Sequence, residues 1–490
     1  MTASFKIVIF YSLIMADDIT GIIVPIFLFL AISVAFTYFL KKRYNAQVFA
    51  HLFSLIRTTK PLWLFDKLAK HKRFFTTLAD IGMVLGFGAI AIDYMFVRGK
   101  KSFPVRLAVF VVSSLIMAGF FIFIDSIFGG PFSQGYMTRP IFPLMAAVFG
   151  IAGLSGFIFS TLIINAYEII YRYMIGERAC PGVAPLLPGI EIPRVPFTIP
   201  VYAWIHLFVI LIIHEGAHGV LGRIAKVPFK STGVMLFGFL PIGAFVEPDD
   251  AEVEKKTSRE KLRFFAAGIS SNLAAFAIGA IALLLFALSV QFFFGAWAAE
   301  VRSNSVSGVQ VKDVFEKVEL CGSFFESTAF GKLEIGSRIL EANGVPVKSS
   351  TDVLVAIAQK RFQALTLTVE KNGLQKELLL EPNELGTYGF MVEDIPNPDY
   401  VVPQSFKDFS FYAGLLGQFI LWFALLNFLI ALVNVLPFPV FDGGRIAPIL
   451  FTPYAGILAK DEKKRVKRIQ SFFLVIILVL FLINFLPVII

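Results

Sequence analysis

Cysteine is nearly missing from this sequence: Cys180 and Cys321 are the only two among 490 residues. With no C-x-x-C spacing they support neither a disulfide framework nor a thiolate metal site, and both are expected as small buried residues. Charge is scarce as well. Lys, Arg, Asp and Glu make up 16% of the chain, against about 25% in soluble domains, which excludes a soluble protein of this length. Histidine occurs five times, so any imidazole cluster stands out. What takes their place is apolar: 57% of residues are hydrophobic, 15% are aromatic and 56 are phenylalanine. The chain reads as a polytopic α-helical membrane protein, embedded in a lipid bilayer.

Apolar runs able to cross a hydrocarbon core of about 30 Å fall at 20–40, 79–97, 104–128, 141–170, 198–225, 262–294, 408–436 and 470–490. That gives about eight transmembrane helices. The formal charge of +9 collects in short runs beside them, "KKRY" (41–44), "KHKR" (70–73), "RGKK" (98–101) and "KDEKKRVKR" (460–468). Basic residues flanking apolar segments mark the cytoplasmic side, and no nucleic-acid partner is expected. One inconsistency stands. The 41–74 loop and RGKK cannot both be cytoplasmic if 79–97 crosses between them, so the later loops set the orientation. "KIVIFYSLIM" (6–15) has the make-up of a signal peptide, yet "ADD" follows it instead of a small-residue cleavage pattern, and it is expected to be retained.

Between 300 and 400, acids, lysines and polar residues return to the frequency of a soluble domain. "ALTLTVEKNGLQKELLLE" (364–381) alternates apolar and polar residues on both sides of Asn372-Gly373, the signal of a hairpin whose tight turn needs positive φ. "LEIGSRILEANGVPV" (333–347) resembles the loop-strand-turn segment of PDZ domains, with Gly336 and the Asn343-Gly344 turn at matching places. The expectation is a small β-rich, PDZ-like domain inserted between membrane spans, able to take an extended peptide as an added strand.

"LIIHEGAHGV" (211–220) sets His214, Glu215 and His218 inside an apolar run. Four residues apart on a helix, the two imidazoles share a face and can hold one metal ion, and Glu215 can reach a water on it. An unpaired ionised Glu215 in hydrocarbon would cost several kcal/mol, so a functional role is the better reading. His206 is off the shared face and is expected to pack. Two imidazoles leave a tetrahedral zinc short of a third protein ligand. The candidate is Asp442 in "NVLPFPVFDGGR" (434–445), where Pro437 and Pro439 stop a helix and Gly443 and Gly444 permit sharp turns. Broken backbone at membrane depth occurs only against protein or a watery cavity. One zinc ion per chain is expected.

These residues resemble the site-2 protease family of intramembrane zinc metalloproteases. The family's HExxH is "HEGAH", and its NxxPxPxxDG is filled from Asn434 to Gly443. "PGIEIP" (187–192), "PIGAFVE" (241–247) and "RFFAAGISSN" (263–272) are also similar to family segments, the last with Ile269 where many members carry proline. The resemblance covers 185–490. It implies His214, His218 and Asp442 as zinc ligands and Glu215 as general base. It also implies Asn434 and Asn272 as groups that hold substrate backbone or an oxyanion. "GVMLFGFLPIGAFVE" (233–247), which contains Gly243, becomes a re-entrant β-like element that pairs with unwound substrate.

Substrates would be single-span membrane proteins, cut at a zinc site near the cytoplasmic face of the cell membrane, with the insert on the opposite side. The chain then divides into an N-terminal membrane region of unassigned role (1–180), two halves of a protease core (181–299 and 401–490) and the PDZ-like insert (300–400). Two rivals are a secondary transporter and an inactive relative that only binds membrane proteins. The first predicts an internal repeat or a mirrored Gly/Pro break in the N-terminal half, and none is visible. The second is opposed by the filled ligand and base positions.

Overall fold

The computed structural model describes residues 19–127, 130, 140–192, 194–360, 362–457 and 459–489; the apolar run 6–15 lies outside them. Helix α1 (Ile19–Tyr44) leads into strands β1 (Gln47–Phe49) and β2 (Phe53–Thr58). Short helix α2 (Leu62–Ala69) precedes α3 (Lys72–Ile92), which runs into a π-turn at Asp93–Val97. Next come α4 (Phe103–Ile127), α5 (Phe142–Met174) and α6 (Ala203–Ile224), the helix of the HEGAH motif. Strands β3 (Phe229–Phe237) and β4 (Leu240–Pro248) are followed by short helices α7 (Asp250–Glu254) and α8 (Ser258–Phe265) and by the long α9 (Ala267–Ser305).

The insert is built from β5 (Val306–Val314), β6 (Lys317–Leu320), β7 (Ser323–Glu326), β8 (Arg338–Ala342), β9 (Val345–Pro346), α10 (Ser350–Gln359), β10 (Leu365–Lys371), β11 (Leu374–Leu380) and β12 (Phe390–Pro396). Helices α11 (Gln404–Asn434), α12 (Asp442–Phe451) and α13 (Glu462–Ile489) complete the chain. Among the described residues, seven helices are long and apolar enough to cross a membrane, against about eight expected. The remaining expected span, 20–40, falls in α1, whose side chains are described from Phe27 on.

The chain divides into two compact units, one formed by residues up to Met83 with Val201–Ala274, the other by Val84–Pro200 with Ala275–Ile490. The first unit contains a four-stranded antiparallel sheet in the order β1-β2-β3-β4. The segment expected to be re-entrant and β-like is its β3–β4 hairpin, with Val234 opposite Ala244 and Thr232 opposite Val246. Half of the sheet comes from the N-terminal region, since β2 pairs with β3 through Ile56 and Val234. Helix α2 also packs against α6. A Cβ on Gly219 would lie 2.5 Å from the Phe65 ring, so that helix approaches only because the position is glycine. Asp80, an oddity in an apolar run, is clamped by Arg263 through contacts of 2.7 and 2.5 Å.

In the second unit, α3 and α5 are each broken at one glycine with nearly the same backbone angles, φ 59° and ψ −145° at Gly88 and φ 60° and ψ −149° at Gly153. The breaks face each other: a Cβ on Gly88 would lie 2.6 Å from the Gly153 nitrogen. The sequence shows no such paired break in the N-terminal half, because a glycine at a helix kink looks like any other small residue. Helix α5 doubles back around one ring. Phe121 lies 5.8 Å from Phe142, 5.0 Å from Phe149 and 5.5 Å from Phe157, whereas a straight helix would part Phe142 from Phe157 by about 22 Å.

The insert forms a sheet ordered β11-β10-β8-β5-β12. Leu365, Leu367 and Val369 point into its core, and the Asn372-Gly373 pair turns with φ 52° and 78°, as the alternation and the turn residues predict. The cysteines depart from expectation: Cys180 and Cys321 are joined in a disulfide across 141 residues of sequence. Two cysteines so far apart carry no spacing signal, and only the fold brings them together. Beside the bond, Ser323 Oγ donates to the Arg178 carbonyl and the Arg172 guanidinium stacks 5.4 Å from the Phe325 ring.

Candidate metal centre

The apolar sequence of α6 holds no proline from Ala203 to Ile224, and the four-residue spacing of its histidines puts both imidazoles on one helical face. Each is 7% exposed, and the ring centroids lie 5.1 Å apart. One short stretch, 264–272, fixes how both rings point. His218 Nδ1 is 2.8 Å from the Phe264 carbonyl oxygen. A carbonyl only accepts, so Nδ1 carries the hydrogen, and Nε2 is the nitrogen His218 offers to a metal.

His214 Nδ1 lies 3.1 Å from Asn272 Nδ2. Amide oxygen and nitrogen are interchangeable by a half-turn of the carboxamide; with the oxygen turned to the ring, Nδ1–H would donate to it and Nε2 would again be the coordinating atom. Asn272 is fully buried, and one end of its carboxamide has no protein partner. Between these two contacts the His214 ring rests on bare backbone. A Cβ on Gly268 would come 2.2 Å from His214 Nε2.

Glu215 projects toward the sheet. Its Oε2 accepts the Val246 N–H at 3.1 Å, so the outer edge of β4 faces α6 here. Strand β4 ends the sheet order, and this edge pairs with no other strand among the described residues. Gly243 lies in β4 opposite Met235, where a Cβ would come 3.2 Å from Met235 Cε.

In the second unit Asp442 opens α12, after Phe441 as N-cap. The chain reaches it by a reversal too tight for any side chain. A Cβ on Gly443 would lie 2.4 Å from the Leu436 carbonyl oxygen, and one on Gly444 2.1 Å from that of Phe438. This is the physical reason for two glycines after the aspartate. Asn434 is the last residue of α11, and its Nδ2 donates to the Ile430 carbonyl at 2.9 Å.

Compared with known families, residues 202–482, more than half of the chain, match the pattern of peptidase family M50. The chain belongs to peptidase family M50. M50 peptidases are zinc metalloproteases of the site-2 protease type. An uncharacterized protein of Methanocaldococcus jannaschii is 26% identical over 286 residues, which is 58% of this chain and 65% of the relative. The chain thus spans just under two thirds of that relative's length.

Within this M50 region the imidazole pair fits zinc by an observation independent of the family. Both Nδ1 atoms are engaged by protein groups, as ligating histidines require. Sequence reasoning did not find the Phe264 carbonyl, Gly268 or the Val246 N–H, since two of them act through backbone and one through the absence of a side chain. The signal available was RFFAAGISSN itself, which supplies the first two together with Asn272.

Proposed function

We propose that this chain is an intramembrane zinc endopeptidase that cuts peptide bonds within or near the membrane segments of single-span proteins, as in regulated intramembrane proteolysis. The observation that carries the reading is the pair of buried histidines His214 and His218 with half-buried Glu215 between them, both Nδ1 atoms engaged and Glu215 beside an open strand edge.

His214 and His218 through Nε2, and Asp442 through its carboxylate, would hold one zinc ion. When bound, the ion supplies a Lewis acid that acidifies a water and polarises the scissile carbonyl. Glu215 takes a proton from the water onto its carboxylate and passes it to the leaving amine nitrogen. The Val246 N–H keeps that carboxylate in place. A helical substrate must unwind first, because its carbonyls are already hydrogen-bonded, and the released backbone needs partners in hydrocarbon. Strand β4, with Gly243, receives the unwound segment as a further strand. Asn434 and the unpartnered end of the Asn272 carboxamide hold its backbone.

The insert acts as a PDZ-like module that docks extended peptide. Its disulfide suits an oxidising compartment, and the basic residues after α6 and before α13 suit the cytoplasm. Together they support a zinc site near the cytoplasmic face and an insert outside. The transporter alternative gains nothing from the paired breaks, because 85–88 and 150–156 contain no ionisable residue.

The test is purified full chain with a panel of single-span substrates, beside Glu215→Gln. The variant should keep its zinc and lose cleavage by about 10²-fold or more. A zinc-loaded wild type that cuts none of the panel, or a transport activity that survives the substitution, would overturn the reading.

A further inference from the structure

Asp93 is a buried acid that the proposed chemistry does not use. It is 3% exposed and begins the π-turn Asp93–Val97, a backbone irregularity that recurs at functional positions. Arg106 grips it with both arms, Nε to Oδ1 at 2.9 Å and Nη2 to Oδ2 at 2.6 Å. The same Oδ2 accepts the Tyr454 hydroxyl. Arg98 completes the cluster, its guanidinium 4.9 Å from the Tyr454 ring centroid.

Tyr454 closes the segment that starts at Val435 and carries Asp442. The start of that segment is held as well. A Cβ on Gly86 would lie 3.3 Å from Val435 Cγ1, and Val435 is fully buried. Residues 84–106 therefore touch the Asp442 arm at both ends, by close packing at Val435 and by a directional hydrogen bond at Tyr454. Between them, Leu436 packs with Leu162, Ala166, Ile477 and Leu480. Apolar contacts of that kind fix depth but not rotation, because they carry no direction. A charge-assisted hydrogen bond does carry direction. A buried ion pair adds little net stability over apolar residues of the same size, so what Asp93 contributes is geometry.

We propose that Asp93 is a positioning residue for Asp442: held by Arg106, it fixes Tyr454 and thereby the angle at which α12 presents the Asp442 carboxylate. The proposal rests on the reading of Asp442 as a zinc ligand. Asp93 itself touches neither substrate nor ligand.

The experiment is a double-mutant cycle on the full chain, reading zinc affinity by competition with a chelator and, separately, thermal unfolding. Tyr454→Phe keeps the ring over Arg98 and leaves the Asp93–Arg106 pair intact, so it removes only the hydroxyl. It should weaken zinc binding by up to about tenfold, the low end of the range for groups that orient a metal ligand, since Tyr454 acts through the backbone of α12. Asp93→Asn should weaken it by as much or more, and the double variant should be no worse than Asp93→Asn alone. If folded Tyr454→Phe binds zinc like wild type, the proposal is overturned, even if its melting temperature has dropped. If the two effects simply multiply, it is overturned as well. A wild-type chain without stoichiometric zinc would instead overturn the proposed function, and this inference with it.

Discussion

The two regions that carry the motifs are held by different kinds of partner. Around His214 and His218 the partners are mostly backbone: the Phe264 carbonyl, the bare Cα of Gly268 and, for Glu215, the Val246 N–H. All lie between Ala203 and Asn272. The segment that carries Asp442 turns on its own backbone at Gly443 and Gly444, but it is also held by side chains from far away in sequence, with Asp93 and Arg98 on Tyr454 and Leu162 and Ile477 on Leu436. Backbone contacts tolerate change at most side chains and leave a short motif, HEGAH on one side and NVLPFPVFDG on the other. Distant side-chain contacts depend on several residues at once and add no motif of their own.

Four substitutions would break or sharpen this contrast. The largest effect is expected from Gly153→Ala in the region held by distant contacts. Its backbone lies where φ is 60° and ψ −149°, and the new methyl would meet the Leu85 carbonyl oxygen at 2.4 Å. Backbone strain alone costs about 1–3 kcal/mol there, and yield of folded chain in detergent should fall severely. Second is Gly268→Ala, where a methyl 2.2 Å from His214 Nε2 displaces the ring. Elemental analysis should find zinc lost while unfolding stays cooperative; zinc retained at full stoichiometry would show that the ring does not depend on bare backbone.

Asn272→Ala comes third. Here the imidazole region does use a side chain, and zinc affinity should fall about 10- to 100-fold, with a small change in melting temperature. The smallest effect belongs to Glu247 at the end of β4. The Ser231 hydroxyl, donating at 2.6 Å, and then the Arg57 guanidinium hold its carboxyl below the ordinary 4.5. A depressed carboxyl stabilises the fold above its unfolded value, and that contribution disappears as pH falls through the lower folded one. Wild type should therefore melt slightly above Glu247→Gln at neutral pH, and the gap should close below about pH 4.5. A gap that widens in acid would contradict the sign.

The same contrast explains what could be read in advance. Helices α4 and α6 fall within a few residues of the apolar runs 104–128 and 198–225, because span length is a property of local composition. The β10–β11 hairpin was legible because Asn372-Gly373 needs no distant partner. HEGAH was legible because an α-helix brings residues four apart onto one face. The pairing of β2 with β3 was not, since strands that far apart leave no periodicity linking them. Asp80 and Asp93 interrupt the apolar run 79–97, and the arginines that pair with them, one of them 183 residues away, leave no local sign in the sequence. The disulfide was missed for the same reason.

Cys180 and Cys321, 141 positions apart, close the stretch between them into a covalent ring. His214, Glu215, His218 and the β3–β4 hairpin all ride on that ring, while Asp442 lies on the open tail beyond it. A single nick between 181 and 320 opens the ring without freeing a fragment, and the chain still migrates as one species until it is reduced. A nick between 321 and 442 severs the tail outright and carries Asp442 away with it, so the molecule is forgiving of damage between its two cysteines and intolerant just after the second.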